Sequence, residues 1–236
     1  EDPTTHCVSG YTTVYLQNKC KGLRFNHSSF QEDIVKIPAT TLMDHASTDP
    51  FTYEIFFTPA NAASTSKKAL ISNRNDPDGL TIGILSGRPY IKANNLTSLN
   101  VTSGNTIAND VCHHLVVTRD AAGTVKRDLN GTQYTQTFTL TAAGAANQPT
   151  SCGKDLAATT EDYHQYKGMI DEVRIWNKVL TTTEMQNYAN KNVMAISGLR
   201  AVWMMLEGSG QLVAAANNSA YDGTLGGTNT SETNDQ

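Results

Sequence analysis

Residues 168–185 read GMIDEVRIWNKVLTTTEM, and the reading of this stretch decides the fold. Side chains alternate across a strand, so simple alternation sets Asp171, Val173 and Ile175 on one face and Ile170, Glu172, Arg174 and Trp176 on the other. Apolar residues fall on both faces, which is the pattern of a strand covered on both sides. After Asn177, the spacing Thr181-x-x-Glu184 is a capping box. The threonine hydroxyl accepts from a free amide of the first turn, and the glutamate reaches back to the cap amide. A helix of about two turns through Tyr188 and Ala189 is predicted from there.

Working outward, Phe51-Thr52-Tyr53-Glu54-Ile55-Phe56-Phe57 places Phe51, Tyr53, Ile55 and Phe57 on one face and is the best core strand of the first half. Residues 69–73, 80–85 and 90–93 read as short strands, broken by Asn75-Asp76-Pro77-Asp78-Gly79 and Ser86-Gly87-Arg88-Pro89. Asn130-Gly131 between residues 125–129 and 133–139 is a type I′ hairpin signal. The small, polar residues 142–148 read as a loop. Residues 1–20 alternate as a Thr/Tyr-rich hairpin at one edge.

Taken together, these stretches resemble concanavalin A-like LamG (laminin G/pentraxin-type) domains. Ile170 to Asn177 followed by the capped helix is similar to that family's closing strand and helix. Gly22-Leu23-Arg24-Phe25-Asn26 with Asp33-Ile34-Val35-Lys36-Ile37-Pro38 resembles its opening strand pair. His113-His114-Leu115-Val116-Val117-Thr118-Arg119-Asp120, then Gly123 through Asn130-Gly131, resembles its HHVAVT-D-G-V-NG hairpin. Two departures stand out. Cys112 occupies the position where a Trp usually precedes the His pair, and Asp128 replaces a common aromatic or aliphatic residue. Residues 198–210, containing Ala201-Val202-Trp203-Met204-Met205, resemble a segment that comes first in many members. Here it is expected to return to the opening-strand slot of the same sandwich, the other reading being the start of a second repeat.

At 236 residues the chain suits one large sandwich. Its formal charge of -4, with no Lys/Arg run longer than a pair, gives no electrostatic reason to expect nucleic acid. No apolar run approaches the roughly 20 residues of a spanning helix, so no membrane insertion is expected. The start Glu1-Asp2-Pro3 is no signal peptide, although a mature secreted chain would have lost one. Cys7, Cys20, Cys112 and Cys152 lack the close pairs of zinc or dithiol sites. Of the three possible pairings, Cys7–Cys20 and Cys112–Cys152 are taken, though the sequence alone does not choose. Sequons at Asn26, Asn95, Asn100, Asn130, Asn217 and Asn229 are compatible with secretion.

Glycoside hydrolases on related scaffolds carry two carboxylates on one strand face, and no such run occurs here. Glu161-Asp162 would face apart, and Asp76 and Asp78 lie in a Pro-containing turn. His113 and His114 also face apart, and the family resemblance implies a structural pair. The resemblance further implies a structural Ca²⁺ held by Asp171 with oxygens near Asn26 and Asp33, the oxygen-only shell that this ion prefers. Asn73, Arg74, Asn75, Asp76 and Asp78, with Arg88 and Tyr90 and with Tyr163, His164 and Tyr166 of a later loop, combine hydroxyl-binding and ring-stacking groups suited to sugars. Trp176 and Trp203 lie in apolar runs and belong to the core.

The expectation is therefore an all-β, concanavalin A-like jelly-roll sandwich of two antiparallel sheets with one short helix. A disulfide-stapled hairpin (1–20) precedes the domain (21–226), and a polar tail (227–236) follows it. The expected function is non-catalytic and extracellular, most simply recognition of a glycan or cell-surface glycoprotein by a monomer or homo-oligomer. A polysaccharide hydrolase or lyase and an oligomerising tip of a surface fibre are the alternatives.

Overall fold

The structure is a computed structural model that describes residues 22–26, 33–75, 78–93, 99–100, 106–139, 147–157, 165–189, 191, 193–207 and 210–226. The expected hairpin 1–20 with Cys7 and Cys20, the tail 227–236, and Asp76, Tyr163 and His164 lie outside these residues. In chain order the strands are β1 (Leu23–Phe25), β2 (Val35–Thr40), β3 (Phe51–Pro59), β4 (Lys68–Ser72), β5 (Leu80–Leu85), β6 (Arg88–Ala93), β7 (Leu99–Asn100) and β8 (His113–Arg119). They continue as β9 (Thr124–Leu129), β10 (Thr132–Thr139), β11 (Gln148–Cys152), β12 (Gly168–Trp176), β13 (Leu199–Trp203), β14 (Leu212–Val213) and β15 (Gly223–Leu225), with helix α1 (Thr182–Tyr188) after β12.

Two antiparallel sheets face each other. One runs β1-β12-β3-β8-β9-β10 with β13 also on β12, and the other runs β14-β15-β2-β11-β4-β5-β6-β7. Tyr53, Ile55, Phe57, Leu115, Val117, Ile170, Val173, Ile175 and Trp203 from the first sheet meet Val35, Ile37, Leu70, Ile82, Ile84 and Ile91 from the second in one core. The face of β3 read from its alternation is the one that joins this core, and the opposite face is buried as well.

Strict alternation fails at one point in β12. A bulge lies between Ile170 and Val173, and an extra residue flips the face of all that follows. Ile170 therefore joins Val173 and Ile175 in the core, instead of pointing with Glu172 and Arg174. The same bulge divides the strand's free edge. β1 pairs with Gly168–Ile170, and β13 pairs with Val173, Arg174, Ile175 and Trp176. Segments from opposite ends of the described chain thus share one edge, and residues 199–203 belong to this sandwich. At the join, a Cβ on Gly22 would collide with the backbone of Ile170 and Asp171, so only glycine permits this approach.

On the outer face, α1 caps a second apolar cluster of Val116, Trp176, Leu180, Met185 and Val193. Its capping box is formed: Thr181 Oγ1 accepts from the Glu184 N–H at 3.2 Å, and Glu184 Oε2 accepts from the Thr181 N–H at 2.9 Å. Arg174, fully buried, ties helix to sheet. It donates to Glu172 Oε1 at 2.5 Å, to Tyr188 O at 2.7 Å and to Lys191 O at 2.8 Å, and its Nη1 lies 3.5 Å from Glu54 Oε2. Trp176 Nε1 donates to the same Glu54 oxygen at 2.8 Å. His114 stacks flat on Phe56, with ring centroids 4.2 Å apart, and its Nε2 lies 3.3 Å from Glu54 Oε1.

The expected β9–β10 turn has both central residues at positive φ, 57° at Asn130 and 79° at Gly131, as type I′ requires. Asp128, the departure from the family pattern, is buried and caps this turn by accepting from the Gly131 N–H at 2.7 Å. His113 and His114 do face apart: His113 packs beside Phe57 in the core and takes a hydrogen bond from Asn130 Nδ2 at 3.0 Å.

One expectation fails outright. Cys152 is a free thiol with no exposed surface, so the Cys112–Cys152 bridge is not made. It sits on β11 inside the core, where burial pushes its pKa up to about 12.

Two measurements check this account. Arg174→Ala would leave Glu54 and Glu172 buried without their guanidinium, and urea denaturation is expected to show a loss of about 3–5 kcal/mol. His45 is buried with Nε2 2.7 Å from the Tyr53 hydroxyl. Burial, reinforced by Arg200 and Arg119 and opposed by Asp49, lowers its pKa from 6.5 to about 3. Between those values the unfolded chain takes up a proton that the folded chain refuses, so stability is expected to fall as pH drops from 6.5 toward 3. His45→Phe should flatten that slope in a pH series of denaturation curves.

Candidate functional site

The eight-stranded sheet turns a polar row outward. Register aligns Lys36 with Ser151, Ser151 with Ser72, Ser72 with Thr81 and Thr81 with Lys92, across β2, β11, β4, β5 and β6. The apolar neighbours Ile37, Cys152, Ile71 and Ile82 point into the core. Ser72 and Thr81 hydroxyls are 2.8 Å apart, and Ser151 Oγ donates to Lys154 O at 2.6 Å. Above this row lies an ion pair with almost no solvent exposure, Arg74 Nη1 to Asp155 Oδ2 at 2.5 Å. Thr81 Oγ1 donates to the same carboxylate oxygen at 3.3 Å, and the Ala157 N–H donates to Oδ1 at 3.1 Å.

This assembly holds the β4–β5 turn. Asn73 is buried and brackets Leu80: its N–H donates to Leu80 O and its Oδ1 accepts from the Leu80 N–H, each at 3.0 Å. Asn75 and Asp78 exchange backbone hydrogen bonds of 2.9 Å in both directions. Both are exposed. A stiff base thus presents an amide and a carboxylate side chain to solvent at the end of the sheet.

The sequence candidates divide accordingly. Asn73, Arg74, Asn75 and Asp78 come together, with Asn73 and Arg74 as the support and Asn75 and Asp78 as the presented groups. Arg88 lies four residues from Lys92 along β6, about 13 Å away at strand spacing, and does not join them. Tyr90 is fully buried on β6, with Lys67 Nζ 5.5 Å from its ring centroid. Tyr166 is in the core, edge-on to Phe25 at 6.1 Å, its hydroxyl donating to Met169 O at 3.0 Å. Neither ring is presented for stacking on a sugar. Asp155, Ser72, Thr81 and Ser151 were missed. Thr81 and Ser72 carried a signal as polar residues inside apolar strands, whereas Asp155 reaches Arg74 only through the β11–β4 pairing.

Strand register sets Asp171 and Asn26 of the implied calcium shell apart. Asp171 lies opposite Gly22, while Asn26 is four residues further along the β1 line, about 13 Å by strand rise. Asp33 does meet Asn26, accepting its N–H. Among the described residues, no group of three or more His, Cys, Asp or Glu side chains is placed to hold a metal ion.

Two face-to-face antiparallel sheets with a capped helix against the outer face define a jelly-roll sandwich of the lectin type. The profile of the Laminin_G_3 family, described as the concanavalin A-like lectin/glucanases superfamily, matches residues 31–186, and the chain belongs to that family. No curated protein matches it. Among solved structures, a Bacteroides ovatus protein named for an inferred carbohydrate-binding role is similar at 13% identity and TM-score 0.69, over 89% of this chain and 58% of that one. The heptameric SAP-like pentraxin of Limulus polyphemus is similar at 11% identity and TM-score 0.55, over 87% and 94% of the two chains. The binding domain of botulinum neurotoxin serotype G aligns at 14% identity and TM-score 0.52, over 70% and 41%. This chain therefore spans little more than half of the Bacteroides protein, and the likeness in each case is one of fold. Among the described residues no helix is long and apolar enough to cross a membrane.

Asp155→Ala would strand Arg74 beneath the turn, and a loss of about 3 kcal/mol or more is expected in chemical denaturation. A double-mutant cycle with Arg74→Ala should return a coupling energy well above the few tenths of a kcal/mol seen for independent sites.

Proposed function

We propose that the chain is a non-catalytic extracellular recognition module that binds a glycan, free or carried on a cell-surface glycoprotein, at the β4–β5 end of the eight-stranded sheet. The supporting observation is the turn itself, with exposed Asn75 and Asp78 held on the buried Arg74–Asp155 pair and the Asn73 bracket. Rigid presentation lowers the entropy lost on binding, and amide and carboxylate groups are natural partners for sugar hydroxyls. With Tyr90 and Tyr166 buried, recognition rests on hydrogen bonds rather than on those rings. The similar Bacteroides and toxin structures, named for binding, favour the same reading.

Hydrolysis or elimination is less well supported, because the buried carboxylates are committed to structure. Glu54 and Glu172 face Arg174, and Asp155 faces Arg74. The six N-x-Ser/Thr triplets are compatible with secretion, the setting that the extracellular reading requires.

A glycan array with and without chelator tests the proposal. Saturable binding to a defined glycan, unchanged by EDTA, is the expected result. Asn75→Ala and Asp78→Ala should each weaken it about tenfold, equivalent to about 1.4 kcal/mol, while leaving the thermal midpoint in place. Absence of binding across the array, or release of reducing ends from a bound polysaccharide, would overturn it.

A further inference from the structure

Three asparagines with described side chains occupy N-x-Ser/Thr triplets: Asn26 (Asn26-His27-Ser28), Asn130 (Asn130-Gly131-Thr132) and Asn217 (Asn217-Asn218-Ser219). The triplets are equivalent as sequence. Their settings are not, and we infer that in an N-glycosylating secretory pathway Asn26 is the one of these three that carries the glycan in the folded protein. This rests on the extracellular part of the proposed function and is independent of what the chain itself binds.

The transfer joins C1 of an oligosaccharide to the asparagine Nδ2. Its donor is a lipid-linked oligosaccharide pyrophosphate supplied by the host pathway. The C1–O bond to the lipid pyrophosphate breaks as the C1–N bond forms, Nδ2 gives up one proton, and the lipid pyrophosphate leaves. The modified nitrogen must then project a bulky, hydrated sugar into solvent.

Asn130 is 8% exposed, and its amide is spent at both ends. Nδ2 donates to His113 Nδ1 at 3.0 Å, Oδ1 accepts from the His114 N–H at 2.9 Å, and the Asn130 N–H donates to His114 O at 2.9 Å. It also supplies the positive φ of the β9–β10 turn. A sugar on Nδ2 would have to enter the space between that turn and β8, so chains modified there do not close this hairpin.

Asn217 is half-buried and stands in for a neighbouring strand beside β13: Oδ1 accepts from the Val202 N–H at 3.0 Å, and Nδ2 donates to Arg200 O at 3.2 Å. Displacing that amide would undo its grip on the strand completing the first sheet. Asn26 is exposed at the end of β1, and among the described residues its tie to the fold is a main-chain one, its N–H donating to the Asp33 carboxylate. The side chain can carry a substituent without disturbing that contact.

The test is secretion of the full chain behind a secretory leader from a glycosylating eukaryotic cell. Enzymatic deglycosylation in heavy-oxygen water and peptide mass spectrometry of the folded, secreted pool then locate the glycans. Asn26 is expected to be occupied, and Asn130 and Asn217 unoccupied. Asn26→Gln should remove one glycan's mass without moving the thermal midpoint. Asn130→Gln should keep the Asn26 glycan and lower the midpoint. Folded protein glycosylated at Asn130 or Asn217, or an Asn26 peptide without glycan, would overturn the assignment whether or not the protein binds sugar on an array.

Discussion

The bulge between Ile170 and Val173 is the constraint on which the rest of the first sheet depends. One added residue puts Ile170, Val173 and Ile175 on the same face, so the strand can fill the core along its whole length. It also divides the strand's edge between β1 and β13. On the opposite face, Glu172, Arg174 and Trp176 are released to build a charged layer under α1. Burying charge is costly unless each group finds partners of good geometry. Arg174 meets that demand with two carboxylates and two main-chain carbonyls, those of Tyr188 and Lys191. The Tyr188 carbonyl is one that the helix leaves without an internal partner at its C-terminal end.

Much of this architecture was legible in the residues. The face of β3 followed from two-residue alternation, α1 from Thr181 and Glu184, and the β9–β10 turn from Asn130-Gly131, because each is a local rule with one dominant physical cause. The bulge was not legible. Asp171-Glu172 offers no glycine or proline to mark it, and only the competing edge partners show why alternation breaks there. The Cys112–Cys152 pairing failed for a related reason. Pairing depends on which strands become neighbours, and β11 lies between β2 and β4 with Cys152 pointing into the core.

The candidate site was half legible. Polar residues in the Asn73 to Asp78 turn were visible, but composition could not divide them into support and presented groups. That division comes from Asp155, which is 81 residues from Arg74 in sequence and 2.5 Å away in space. Tyr90 and Tyr166 misled for the opposite reason, since an aromatic residue near a loop in sequence is as readily a core residue as a ligand platform. The calcium expectation rested on residue types carried over from a family pattern, and the strand register that separates Asp171 from Asn26 is something residue types do not encode.

Cys152 has a consequence of a different kind. Its thiol is shielded by both sheets and held almost wholly protonated at neutral pH, so it is chemically silent while the sandwich stays closed. An alkylating reagent reaches it only when β11 parts from β2 or β4, and modification at this one peptide then counts openings of the domain's interior. The chain therefore carries its own clock for core exposure, read by mass spectrometry as the mass that the reagent adds to this peptide.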